Sequence, residues 1–192
     1  MKEKVLIIVA HPDDETIWIG GTILKNSENW DLTIISLCRG DDPDRAPKFR
    51  KVCEIYKAKS FISDLEDETL KPISITEVIK RIKQFAQKEY DYIYTHNTNG
   101  EYGHIRHIDV HKAVLKMLDK GDLSTEKLFL FDYENVKDIC CAKKTRDKFI
   151  KLDNLTLKRK KEIINEVYGF SKESFEYKCS RDKEAFIVKN IK

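Results

Sequence analysis

The chain has 192 residues, of which 41% are hydrophobic and 36% charged, with a formal net charge of +3. That length matches one domain of roughly 150 residues with little to spare, large enough to bury about 70% of the surface its unfolded chain exposes. The composition excludes a disordered or fibrous chain, and the longest near-continuous apolar run, residues 5–10, falls far short of the ~20 residues of a membrane span.

Residues 5–10 (VLIIVA) are wholly apolar and rich in β-branched side chains, which reads as a strand buried on both faces. Asp13, Asp14 and Glu15 follow at once, so the run does not resemble a signal peptide and a cytoplasmic chain is expected. Residues 16–26 read as a helix, 32–38 (LTIISLC) as a second buried strand, and 39–47, with Gly40, Pro43 and Pro47, as a loop. A helix is expected over 49–58, a short strand over 60–63, a helix over 75–88 and a strand over 91–95. A helix from His104 or Ile105 to Leu118, a strand over 127–132, a basic helix over 155–167 and a strand over 185–188 complete the series. Strands alternating with helices imply an α/β fold, a three-layer α/β/α sandwich around a Rossmann-like, mostly parallel sheet. Ligands of such folds sit outside the carboxyl ends of the strands.

Charge is uneven along the chain. Counting Lys and Arg against Asp and Glu, residues 1–136 carry 20 against 24 and residues 137–192 carry 16 against 9. A basic excess of this kind is usually a solvated face; it could also meet a phosphate-bearing substrate. No nucleic-acid-binding motif accompanies it, so no nucleic-acid partner is expected. The five cysteines are odd in number and lack a CxxC spacing, and are expected to be reduced thiols.

The chemistry concentrates in two segments. His11-Pro12-Asp13-Asp14-Glu15 ends the first strand. A His and three acids there are costly to hold together without a cation, and imidazole with carboxylate suits zinc or another divalent first-row metal. The plain alternative is a helix cap supplied by Asp13 or Asp14. The second segment runs from Asn97 to His111 and follows the strand 91–95, hence the same sheet edge. His104, His107 and His111 share one helix face. Spacing alone does not choose between His107 with His111 and His104 with His107 as a metal-binding pair.

The run Ala10-His11-Pro12-Asp13-Asp14-Glu15 resembles the signature of the LmbE/PIG-L family of zinc-dependent N-acetyl-sugar deacetylases, and Gly103-His104-Ile105-Arg106-His107 is similar to its second motif. The resemblance implies His11, Asp14 and His107 as metal ligands and Asp13 as general base. It implies His104 as the group that stabilises the oxyanion or protonates the leaving amine, with Arg50 and Tyr102 near the substrate. Zinc is the implied cofactor, with iron as an alternative, and the implied partner is an N-acetyl sugar or glycoconjugate. The sequence is compatible with a homo-oligomer. Departures are Ile105-Arg106 where the family has Pro-Asp, Cys38 in place of a Thr, and a turn at Asp67 without its Gly. His111 is left between a supporting and a structural role. Two other readings compete. A non-catalytic metal or nucleotide-sugar binding module would have no need of Asp13. A dinucleotide-binding domain is excluded because no GxGxxG follows the first strand.

Overall fold

The computed structural model describes residues 1–144 and 147–191. In chain order the elements are β1 (Glu3–Val9), α1 (Asp14–Asn26), β2 (Trp30–Cys38), α2 (Arg45–Ile55), β3 (Lys59–Leu65), α3 (Ile75–Lys83) and β4 (Glu89–Thr95). There follow a single turn α4 (Gly100–Gly103), α5 (Ile105–Asp119), β5 (Ser124–Phe131), β6 (Tyr133–Val136), β7 (Ile139–Ala142) and β8 (Lys148–Lys151). The chain closes with α6 (Asn154–Glu162) running into a π-helical turn (Ile163–Val167), then α7 (Phe175–Cys179) and β9 (Lys183–Asn190).

Seven strands form one sheet in the order β3-β2-β1-β4-β5-β9-β8. β3 through β5 are parallel, while β9 runs antiparallel to both β5 and β8. β1 sits centrally, with Val5 opposite Leu32 on one side and Tyr92 on the other. Its side chains alternate between faces. Val5, Ile7 and Val9 join Trp18, Ile34 and Phe49 in one core cluster, whereas Leu6 and Ile8 join Val78, Ile82, Val110 and Val114 in the other. Helices α1, α2 and α6 therefore cover one face and α3 and α5 the opposite one, the three-layer α/β/α arrangement expected. The order reverses at β1 and β4, and a crevice opens at their carboxyl ends, where such folds bind ligands. Among the described residues no helix is long and apolar enough to cross a membrane.

The structure corrects several boundaries. α2 begins at Arg45 inside the expected loop, because Pro47 falls in the first helical turn, where its missing N–H costs nothing. α3 ends at Lys83, five residues before the expected end at residue 88. The β6–β7 hairpin, β8 and α7 were not expected. The hairpin turns on Lys137 and Asp138, both at positive φ (51° and 63°), a two-residue turn that usually announces itself with Asn-Gly or Asp-Gly.

Candidate active site

β1 delivers His11 to the crevice and β4 delivers His96 beside it. The backbone N–H of Ala10 donates to His96 Nε2 at 3.0 Å, so that nitrogen accepts and His96 carries its proton on Nδ1, 2.7 Å from Glu101 Oε2. The same Glu101 oxygen lies 2.6 Å from His107 Nδ1. His107 therefore donates through Nδ1 and presents Nε2 to the crevice. Burial opposes ionisation of Glu101, but His96 and His107 outweigh it and hold the carboxyl down at about 2.

Three donor atoms converge there. His11 Nδ1 is 3.2 Å from Asp14 Oδ2 and 3.3 Å from His107 Nε2, and those last two atoms are 3.4 Å apart. Ligands about 2.05 Å from a tetrahedral metal stand roughly 3.3 Å from one another, so the spacing fits a cation of that kind. Asp14 is held for the task, with Oδ2 accepting from the His11 N–H at 2.8 Å and Oδ1 accepting from Trp18 Nε1 at 2.8 Å. Burial disfavours a charged His107, but Asp14 and Glu101 prevail and push it up to about 10; a bound metal would take the place of that proton. Two further donor trios share members with this one, His11 with His104 and His107, and Asp14 with His96 and His107; another, His11, Cys38 and Asp67, lies on the other side of the His11 ring. The Cys38 trio is the poorer site, because Arg39 already pairs with Asp67 at 2.8 Å and burial pushes the Cys38 thiol up.

Asp13 adjoins the trio. It does not cap α1, since its side chain makes no capping hydrogen bond, and its backbone is held at φ 110°. Glu15, fully buried, accepts from the Asp13 N–H at 3.1 Å and also from Thr16 and Tyr168. Burial and the charge of Asp14 push the Asp13 carboxyl well up, against the pull of Arg45, whose Nη1 is 3.1 Å away. His104 faces the same cavity. Its Nδ1 accepts from the Arg106 N–H at 3.3 Å, which leaves Nε2 as the protonated nitrogen. Burial and the neighbouring histidines hold His104 down at about 4, so the ring is neutral around pH 7.

The cavity measures about 330 Å³, near the lower end of the range for small-molecule pockets, roughly 300–1,000 Å³. Tyr102, 36% exposed, stands against Phe175 of α7 at 4.9 Å and Trp18 at 6.3 Å between ring centroids, forming an aromatic wall. Of the sequence-derived candidates, the structure brings together His11, Asp13, Asp14, Tyr102, His104 and His107. It leaves Arg50 exposed on α2 and away from the cavity lining; Arg39 and Arg45 occupy the lining instead. His111 supports the site from behind, its Nδ1 lying 2.9 Å from the His96 carbonyl. Sequence reasoning missed His96, Glu101 and Phe175. His96 had a usable signal, since it follows β4 as His11 follows β1. Among the described residues of the basic segment 137–192, no Lys or Arg reaches the lining, where Phe175 and Glu176 stand instead.

A family model described as PIG-L, GlcNAc-PI de-N-acetylase, matches residues 6–118. An uncharacterized protein of Acanthamoeba polyphaga mimivirus is 26% identical over 175 residues, which cover 78% of this chain and 75% of that relative. Among solved structures, the N,N'-diacetylchitobiose deacetylase of Pyrococcus horikoshii, in complex with its inhibitor MPG, superposes with a TM-score of 0.74 at 17% identity, over 98% of this chain and 84% of that one. The 4-carboxy-2-hydroxymuconate hydratase of Pseudomonas putida superposes with a TM-score of 0.65 at 14% identity, over 94% and 83%. At these identities the two structures share the fold, and the fold carries more than one chemistry.

Proposed function

The chain belongs to the PIG-L (LmbE-like) family, and on that premise we propose that it is a metal-dependent deacetylase. It removes the acetyl group from an N-acetylglucosamine-type sugar or glycoconjugate and releases acetate and a free amine. The observation that carries this reading is the triangle of His11 Nδ1, Asp14 Oδ2 and His107 Nε2 opening on the cavity that Asp13 and His104 also line. Those three residues would hold the cation, with zinc favoured and iron an alternative donor-compatible choice. Three protein ligands leave room for water and substrate, and a divalent cation there lowers the pKa of water and polarises a carbonyl.

The remaining work falls to side chains. Asp13, oriented by Arg45 and by the Glu15 contact to its own N–H, takes the proton of the attacking water. A buried carboxyl with a raised pKa is suited to that transfer near neutral pH. His104 donates a hydrogen bond from Nε2 to the carbonyl oxygen as charge develops on it; a neutral ring does this as it stands, which favours oxyanion stabilisation over initial proton donation. Tyr102, Phe175 and Trp18 offer an apolar wall to the sugar ring. The unbonded state of the five cysteines suits a cytoplasmic protein, and one deacetylase-type domain accounts for residues 1–192.

The test is acetate release from a panel of N-acetylglucosamine conjugates by protein of known metal content, with and without a chelator. Chelator-sensitive release is expected. Asp13→Asn is expected to lower turnover by about 10²–10⁴-fold while retaining its metal. Release that is indifferent to both treatments would overturn the assignment, and metal binding without turnover of any conjugate would favour a binding module.

A further inference from the structure

Arg106 is fully buried, yet it neither faces the cavity nor contacts the metal-binding trio. Its guanidinium points instead into the segment between β3 and α3. Nε donates to the Glu66 carbonyl at 2.6 Å, Nη1 to the Lys71 carbonyl at 2.8 Å and to Asp109 Oδ2 at 3.0 Å, and Nη2 to Glu66 Oε2 at 2.6 Å. Two of these acceptors are backbone carbonyls that bracket Asp67. One side chain thus fixes both ends of a short loop whose conformation includes Leu70 at φ 51°.

Asp67 is the loop's payload. Its Oδ2 accepts from Arg39 at 2.8 Å, and its Oδ1 lies 3.2 Å from His11 Nε2. Both of those facing atoms are buried, and among the described residues neither makes a hydrogen bond, so each is the other's nearest charge partner across that 3.2 Å gap. A carboxylate at Nε2 favours the proton on that nitrogen and leaves the Nδ1 lone pair for the trio with Asp14 and His107. Without it, the carboxylate left beside the ring is Asp14 Oδ2, 3.2 Å from Nδ1, which favours the proton on the nitrogen the trio needs free.

We propose that Arg106 is a positioning residue for the metal centre, acting through the loop 66–71 and Asp67 to fix the tautomer and orientation of His11. The inference rests on the metal-site reading above. It assigns a role to the residue that departs most from the family's second motif. The planar fork of arginine is required, because a lysine ammonium at this position cannot serve two carbonyls and two carboxylates spread around it.

The experiment is a zinc titration against a chromophoric chelator, with thermal unfolding followed in parallel, for the wild type, Arg106→Lys, Asp67→Asn, the double variant and His107→Ala. Wild type is expected to bind zinc and His107→Ala to lose most of that affinity. Arg106→Lys and Asp67→Asn are each expected to weaken zinc binding by about 10–100-fold. The double variant should bind no more weakly than Asp67→Asn alone, since both changes remove the same support. Asp67→Asn leaves the buried arginine network in place, so it reads the effect even if Arg106→Lys folds poorly. Zinc affinity within twofold of wild type in Arg106→Lys, or losses that multiply in the double variant, would overturn the positioning role while leaving the metal site standing. A wild type that binds no zinc, or binding indifferent to His107→Ala, would overturn the metal-site reading itself.

Discussion

Glu101 shows how much one side chain can organise. Its backbone sits at φ 59°, a conformation disfavoured for a residue with a Cβ, and one carboxylate oxygen accepts from both His96 and His107. The other accepts from the Asn97 N–H at 3.0 Å. Glu101→Gln places an amide NH₂ against one of these donors, so zinc affinity in a chelator competition is expected to fall about 10–100-fold. Metal removal has its own signature. At free zinc about 100 times Kd, binding adds about 2.7 kcal/mol. For a chain of this size that corresponds to roughly 5–11 °C in Tm, and EDTA should abolish the difference; a Tm indifferent to EDTA would argue against a bound metal.

At the scale of the element, the loops after the strands place these residues, and Gly40 fixes one of them. Its N–H donates to the Ser63 carbonyl at 2.7 Å, continuing the β2–β3 contact past the end of β2. A Cβ there would lie 2.7 Å from the Ser63 carbonyl carbon and oxygen, backbone atoms that cannot swing aside. Gly40→Ala is expected to cost about 1–3 kcal/mol, read as a lower urea midpoint with an unchanged m-value. Because Arg39 precedes Gly40 and grips Asp67, zinc affinity should fall with it. Element type and face were largely legible here. Uninterrupted apolar runs marked β1 and β2 and helical spacing marked α1 and α5; His104, expected on the α5 face, is instead its extended N-cap residue and still meets His107 at 4.9 Å between ring centroids. What escaped were elements carried by turns of unusual composition, such as the Lys137-Asp138 hairpin, and the early start of α2. That start explains why Arg45 and not Arg50 reaches the site.

The whole molecule is tied together by a buried ion pair. Lys160 of α6 and Glu184 of β9 are both fully buried, with Nζ 2.7 Å from Oε1. Glu184 also accepts from the N–H groups of Gly21 and Thr22, both at 2.8 Å, and from the Thr22 hydroxyl at 2.6 Å. One carboxylate thereby joins the last strand to α1, the helix that begins with the Asp14 ligand candidate. Lys160→Met leaves that carboxylate buried without its cation and is expected to destabilise by about 3–5 kcal/mol, a large part of the total stability of a typical domain. Urea unfolding measures it; a loss below about 1 kcal/mol would show the pair to be incidental.

The parallel strands, the longer helices and the chemistry at the end of β1 were legible in the residues alone. An uninterrupted apolar run specifies a strand buried on both faces, and the acids and histidine beyond it require compensation. Helical spacing then sets which histidines share a face. These are local properties, fixed by neighbours within a few residues. Which strand ends meet is set by the sheet's pairing order. Ala10 and His96 are 86 positions apart and become neighbours because β4 pairs with β1. His11 and Asp67 meet because a buried arginine folds the loop 66–71 toward them. Such contacts depend on sheet order and on burial of polar groups that must find partners, and no period in the chain encodes either.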